Sequence, residues 1–152
     1  MASDQIAIRI VTESDLNEWL RLRKLLWDEN ADEDHRNEMF EIIGHGDTQL
    51  VAVADAGQGR LVGFLEASIR PFAEDCLTDF VGYLEGWYVE PEFRRTGIGR
   101  RLVAFAEQWA KAKGCSEMGS DAEIGNETSI SAHLGLGYQI TSRLVHFRKV
   151  LD

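Results

Sequence analysis

Isoleucines at 6, 8 and 10 alternate with Ala7 and Arg9, and this period of two predicts a half-buried strand over Gln5 to Val11. Thr12 and Asp15 have the spacing of a capping box, and Leu16, Trp19, Leu20, Arg23, Leu26 and Trp27 then recur at helical spacing. Trp27, at the end of that helix, reads either as core filler or as the aromatic wall of a pocket. The next stretch, Asp28 to Glu41, holds Asp28, Glu29, Asp32, Glu33, Asp34, Glu38 and Glu41 against Arg36 alone, and predicts a loop and a second helix with Met39, Phe40, Ile42 and Ile43 facing the core.

Leu50 to Ala54 and Leu61 to Ile69 read as two strands joined by the turn Asp55-Ala56-Gly57-Gln58-Gly59-Arg60. Arg70-Pro71 ends the second, and Phe72 to Asp79 is a polar, irregular connection. Tyr83 to Val89 is aromatic and β-branched enough for a strand, which Pro91 stops; Ile98, Leu102, Phe105, Ala106 and Trp109 then mark a helix from about Gly97 to Lys113, ended by Gly114. Ser116 to Asp121 is a short strand, and Gly125-Asn126 leads into a helix that ends at Gly135-Leu136-Gly137. Tyr138 to Ile140 and Arg143 to Val150 are expected to close the chain as two more strands. This order predicts an α/β fold with a mixed sheet flanked by helices, in a single domain over residues 1–152.

Sixteen basic residues against twenty-six acidic ones give a net charge of −10, which disfavours nucleic acid and favours a cationic partner. Most of the carboxylates between 28 and 41 read as a solvated helical face, with a minority left as candidates to meet a cation. Cys76 and Cys115 make no disulfide framework, and neither has a metal-ligand partner at close spacing, so no metal is expected. The start Met-Ala-Ser-Asp-Gln carries no signal segment and no apolar run approaches a membrane span, so a cytoplasmic protein free of the membrane is expected.

The candidate chemistry gathers after the strand that Pro91 stops. Gly97 and Gly99 let amides near the helix start point together at an anion, and Arg94, Arg95, Arg100 and Arg101 bring guanidinium groups to the same turn. A pyrophosphate suits such a turn, although a solvated basic helix start has the same composition. The turn is not a P-loop, because Gly99 is followed by Arg100, nor a dinucleotide fingerprint, because it lies past mid-chain. Glu85 is a carboxylate in an otherwise apolar strand, so it should face a pocket or pair with an arginine. Asp121, at the end of the next strand, reads as a site residue or a helix N-cap.

The pattern R-x-x-G-x-G over Arg94 to Gly99 resembles the coenzyme A pyrophosphate loop of the GNAT superfamily of N-acetyltransferases. A second segment, Asn126 to Tyr138, is similar to that family's N-x(6)-Y-x-x-x-G-[FY] motif, with His133 where many members carry a tyrosine thought to protonate the departing thiolate. The resemblance implies a mostly antiparallel mixed sheet with a splayed fourth and fifth strand pair and about four helices. It also implies acetyl-CoA as cosubstrate, contacted by Trp87, Tyr88, Val89, Arg94, Arg95, Thr96, Gly97, Ile98, Gly99, Arg100 and Asn126, with a backbone N–H near Tyr88 or Val89 on the thioester carbonyl. His133 is then either the proton donor or a residue merely packed by the cosubstrate.

Leu22 to Trp27, Ala67 to Arg70, Leu84 to Gly86 and Met118 to Asp121 together resemble aminoglycoside 6'-N-acetyltransferases. That resemblance implies an acceptor site lined by Trp27, Phe72, Glu85 and Asp121, with the two carboxylates holding and deprotonating an amine. Packing is the other use open to Phe72. Some relatives carry a further acid near Ser142, which this chain lacks. An acetyltransferase for polyamines or other small amines, and a catalytically silent acetyl-CoA-binding domain, are the alternatives. A homodimer is expected.

Overall fold

The computed structural model of the chain describes residues 5–152. Strand β1 (Ala7–Ile10) is followed by a short 3-10 turn, helices α1 (Leu16–Leu26) and α2 (Asp32–Ile43), and strands β2 (Gln49–Asp55), β3 (Leu61–Arg70) and β4 (Val81–Val89). A second 3-10 turn (Pro91–Phe93), helix α3 (Ile98–Ala112), strand β5 (Met118–Ser120) and helix α4 (Glu127–Gly135) complete the regular elements among the described residues. The chain groups into two compact units, Met1–Ser120 and Asp121–Asp152.

The first unit is a sheet of order β1-β2-β3-β4-β5 in which every neighbouring pair is antiparallel except β4 and β5. A parallel pair needs a crossover, and α3 supplies it. β3 is buried along most of its length because helices cover both of its faces. Its even-numbered residues look toward α1, where Phe64 joins a core with Trp19, Leu20, Leu22, Met39, Val51 and Val53. On the other face, a Cβ on Gly63 would touch Leu102 of α3 at 3.4 Å.

Local chemistry starts and stops these elements. The Thr12 N–H donates to Asp15 Oδ2 at 2.7 Å, the predicted capping contact, and Arg9 grips the same carboxylate through Nη1 at 2.7 Å and Nη2 at 2.9 Å. These bonds hold the Asp15 carboxyl down at about 2 against the opposing effect of burial. The hairpin turn closes through Ala56 N–H to Arg60 O at 2.9 Å, with Gly57, Gln58 and Gly59 all at positive φ.

Two expectations need correction, and of the two uses open to Phe72 one is removed. Phe40 and Ile43 are 64% and 42% exposed, because α2 turns His35 and Met39, four residues apart, into the protein instead. Phe72 is 68% exposed and packs into no core. No strand is assigned over residues 138–152 among the described residues, although the pattern of Arg143 to Val150 suits one. Leu144, Val145, Phe147, Val150 and Leu151 are exposed.

Candidate active site

The site is built around β4. Against β3 the register runs Leu65 to Trp87 and Glu66 to Gly86, then Ala67 to Leu84, so Glu85 is the extra residue of a β-bulge. The bulge aims Glu85 at the residues of β3 that follow Glu66 on the α1 face. Ser68 Oγ donates to Glu85 Oε2 at 2.5 Å, while Arg70 reaches Oε2 through Nε at 2.9 Å and Oε1 through Nη2 at 2.7 Å. Of the two environments the sequence allows for Glu85, the arginine pair is present, and the side chain also stays 31% exposed.

Gly86, next along, makes room for Trp27. The Trp27 ring packs edge-on to Phe64, with centroids 6.0 Å apart, and the Arg23 guanidinium lies 4.8 Å from its centroid. Arg23 is fully buried, as is His35, and Glu66 nearly so. Arg23 Nη1 meets Glu66 Oε1 at 2.7 Å and Oε2 at 2.5 Å, Nη2 pairs with Glu38, and Trp19 Nε1–H donates to Glu66 Oε2 at 2.9 Å. Burial pushes the Glu66 carboxyl up, and Arg23 and the indole N–H oppose that rise. Arg23 Nε–H donates to His35 Nδ1 at 3.1 Å, so the other ring nitrogen carries the proton and donates to Trp27 O at 3.1 Å. A buried polar network thus fixes Trp27 by both its ring and its backbone. The sequence placed Arg23 among the core-facing positions of α1 but gave it no partner; Glu66, an acid inside a buried strand, was the available signal.

Beyond Leu84 the pairing of β4 with β5 stops, since the three pairs are Gly82 to Met118, Tyr83 to Gly119 and Leu84 to Ser120. β4 continues to Val89. Glu90 N–H bonds Val62 O on β3 at 2.9 Å, and backbone groups alternate sides along a strand. Trp87 and Val89 therefore direct their N–H and C=O groups to the edge away from β3, whereas those of Tyr88 point at β3. Val89, rather than Tyr88, presents an amide at that edge; its carbonyl accepts from Arg94 Nε at 2.7 Å. On the face opposite Trp27, the Trp87 ring lies under the first turn of α3, 3.1 Å from where a Cβ on Gly99 would stand.

The turn after β4 is shaped for an anion. Arg95 at φ 63° and Gly97 at φ 88° are both left-handed, and the first helical bond of α3 is Arg101 N–H to Gly97 O at 3.0 Å. The Ile98 and Gly99 amides precede it and have no acceptor within the helix. Arg94, Arg95 and Arg100 are exposed around this turn, Thr96 Oγ–H donates to Phe93 O at 2.6 Å, and Ile98 is buried as the anchor of α3. Arg101 departs from the expected cluster, since its Nη2 donates to Ile6 O at 2.8 Å and ties α3 to the start of β1. An unobstructed backbone, a helix N-terminus and exposed guanidinium groups fit a pyrophosphate.

In the second unit, Asn126 Oδ1 accepts from Ser129 N–H at 3.1 Å and caps α4, so the capping role open to Asp121 belongs to Asn126. Asp121 is exposed, one residue past the end of β5. His133 Nδ1–H donates to Ser129 O at 2.7 Å, and its ring meets Tyr138 edge-on at 5.8 Å. Burial raises the Cys76 and Cys115 thiols, so neither is a ready nucleophile. Among the described residues no cluster of His, Cys, Asp or Glu is arranged to hold a metal ion, and no helix is long and apolar enough to cross a membrane.

A mixed sheet whose fourth strand outruns the fifth and leads into a glycine-arginine turn defines a class of acyl-transfer domain. The model of the Acetyltransferase (GNAT) family matches residues 16–138, and the chain belongs to that family. Over 146 residues it is 41% identical to an aminoglycoside N(6')-acetyltransferase type 1 of Klebsiella aerogenes, covering 95% of this chain and 96% of that one. The apo crystal structure of the aminoglycoside 6'-N-acetyltransferase AAC(6')-IG from Acinetobacter haemolyticus superposes with a TM-score of 0.89 at 37% identity, covering 96% of this chain and 99% of the other. AAC(6')-Iy in complex with the bisubstrate analogue CoA-S-monomethyl-acetylneamine gives a TM-score of 0.89 at 35% identity, with the same shares covered.

Proposed function

We propose that this chain, acting as one domain, transfers the acetyl group of acetyl-CoA to the 6'-amino group of aminoglycosides by direct attack of the amine. The observation that carries the reading is the composition of β4 and the turn after it. One strand presents Glu85 from a bulge and, four residues on, the edge amide of Val89, and it runs straight into the anion-binding turn. Acetyl-CoA brings an activated thioester. Arg94, Arg95 and Arg100, with the backbone from Thr96 to Gly99, hold its pyrophosphate. Trp87 offers edge backbone groups to the pantetheine arm, and Val89 N–H donates to the thioester oxygen as negative charge builds there.

Glu85 accepts a hydrogen bond from the acceptor's ammonium and orients its nitrogen, with Trp27 and Phe72 as aromatic walls. The exposed carboxylate of Asp121 is the candidate to take the proton that the amine loses. His133 uses Nδ1–H on Ser129 O, so it can release a proton from the other nitrogen only when doubly protonated. The raised thiols of Cys76 and Cys115 favour direct transfer over an acyl-enzyme on cysteine, and both are free, as a reducing cytoplasm keeps them. The exposed apolar side chains of residues 144–151 favour a homodimer in which this segment pairs with a second copy.

The test is thiol release over a panel of amines. Kanamycin should consume acetyl-CoA and give a product acetylated once, at the 6' nitrogen by NMR, while an analogue with a 6'-hydroxyl should not react. Turnover of spermidine in place of kanamycin returns the chain to the small-amine reading. Cofactor binding without any turnover returns it to the silent one.

A further inference from the structure

Glu85 is an unusual anchor for an amine, because most of its accepting capacity is already used. A carboxylate offers about four lone-pair positions, two on each oxygen. Oε2 receives Ser68 Oγ–H at 2.5 Å and Arg70 Nε–H at 2.9 Å, while Oε1 receives only Arg70 Nη2–H at 2.7 Å. Both donors come from β3, two residues apart on one face, and Glu85 comes to them through the bulge. Arg70 is itself held in place: its guanidinium lies 3.5 Å from the centroid of the Tyr83 ring, on the strand that carries Glu85. The planar fork of the arginine fixes the plane of the carboxylate, and the serine fixes which oxygen is saturated.

We propose that Arg70 and Ser68 are positioning residues that lock Glu85 with one accepting position, on Oε1, turned to the acceptor amine. The inference rests on the acetyltransferase reading and deepens it. It also changes what Glu85 contributes. With Arg70 beside it the pair carries no net charge, so Glu85 aligns the amine and attracts a polycation little; the attraction comes from the chain's wider acidic surplus.

Kinetics with acetyl-CoA and kanamycin separate alignment from attraction. In Arg70→Gln a positive charge is removed and the lock is broken, so kcat should fall roughly 10- to 100-fold while KM for kanamycin stays level or falls. Arg70→Lys restores the charge without the planar fork and should not restore kcat. In a Glu85→Gln background, Arg70→Gln should cost nothing further. Restoration of kcat by lysine, or an undiminished loss in the Glu85→Gln background, overturns the lock. A readout that needs no activity keeps the two ideas apart: in ligand-free crystals Glu85 should occupy one rotamer in the parent and several in Arg70→Gln. One unchanged rotamer in the variant overturns the lock even if kanamycin is a substrate. An inert parent with the rotamer change upholds the lock and removes the aminoglycoside reading instead.

Discussion

The ring of Trp27 occupies the place where a side chain at Gly86 would begin. A Cβ added there would stand 2.5 Å from Trp27 Cζ2 and closer still to Cη2, so helix α1 and strand β4 meet in a contact that only glycine permits. Because the Arg23 guanidinium lies against the ring and His35 holds the Trp27 carbonyl, the ring has little freedom to retreat.

Gly86→Ala should therefore displace Trp27 and disturb the network beneath it. Overpacking of this kind costs about 1–3 kcal/mol. If Trp27 walls the acceptor site, KM for kanamycin should rise several-fold with the affinity for acetyl-CoA little changed, because the clash falls on the face of β4 opposite the one on which Trp87 meets the first turn of α3. Thermal melts, acceptor titrations and acetyl-CoA calorimetry measure the three quantities. Equal losses of both affinities would show that Trp27 supports the fold alone.

The anion turn is tested by two substitutions of one glycine. Gly97 has open space where a Cβ would go, so no clash obstructs a substitution, but its φ of 88° penalises any L-residue by roughly 1–2 kcal/mol. Gly97→Ala measures that strain alone, and Gly97→Asp adds a negative charge where the pyrophosphate should sit. Calorimetry should show a modest loss of acetyl-CoA affinity for the first and a loss of at least tenfold more for the second. Matched losses would mean that the turn is structural and binds no anion.

Much of this site was legible as residue types and spacing. The bulge was not, because it arises from a mismatch between two strands: Glu85 reads as one more residue of a regular strand until the register with β3 is known. Its partnership with Arg70 was open for the same reason, although the need for an arginine followed from the chemistry of a carboxylate in apolar surroundings. Trp27 could not be assigned as wall or filler from α1 alone, since its position depends on a missing side chain far along the chain at Gly86. The exposed state of Phe40 shows the converse limit, in which an apolar residue in a helix is read as core when the helix buries only a narrow stripe.

Stability should fall in acid through Asp15. Arg9 holds its carboxyl at about 2 in the folded chain, against about 4 in an unfolded one, so the folded state binds fewer protons between those values. The stabilisation is then complete above about pH 4 and is lost as pH falls toward 2. Arg9 is 34% exposed, and screening reduces the contribution to about 1–2 kcal/mol. Urea midpoints for the parent and Asp15→Asn should differ at pH 6 and converge near pH 2. A gap that persists at pH 2 would assign the effect of the substitution to lost capping geometry rather than to charge.

Phe147 is 93% exposed and Leu151 82%, along a stretch whose pattern suits a strand and to which none is assigned among the described residues. Leaving several large apolar side chains in water forfeits about 25 cal/mol per Å² of apolar surface, and a segment of strand-like pattern can pair with another chain. A second copy brings an identical segment and an identical need, which is the symmetric way to satisfy both. The protein should run as a dimer in light scattering at micromolar concentration, and Phe147→Asp should shift it toward monomer while leaving the melting of the Met1–Ser120 sheet little altered. Amide exchange supplies the backbone test: the N–H groups of Arg143 to Val150 should be protected in the dimer and exchange freely in the variant. A monomeric parent with unprotected amides over these residues would remove the dimer and leave the segment a solvated tail.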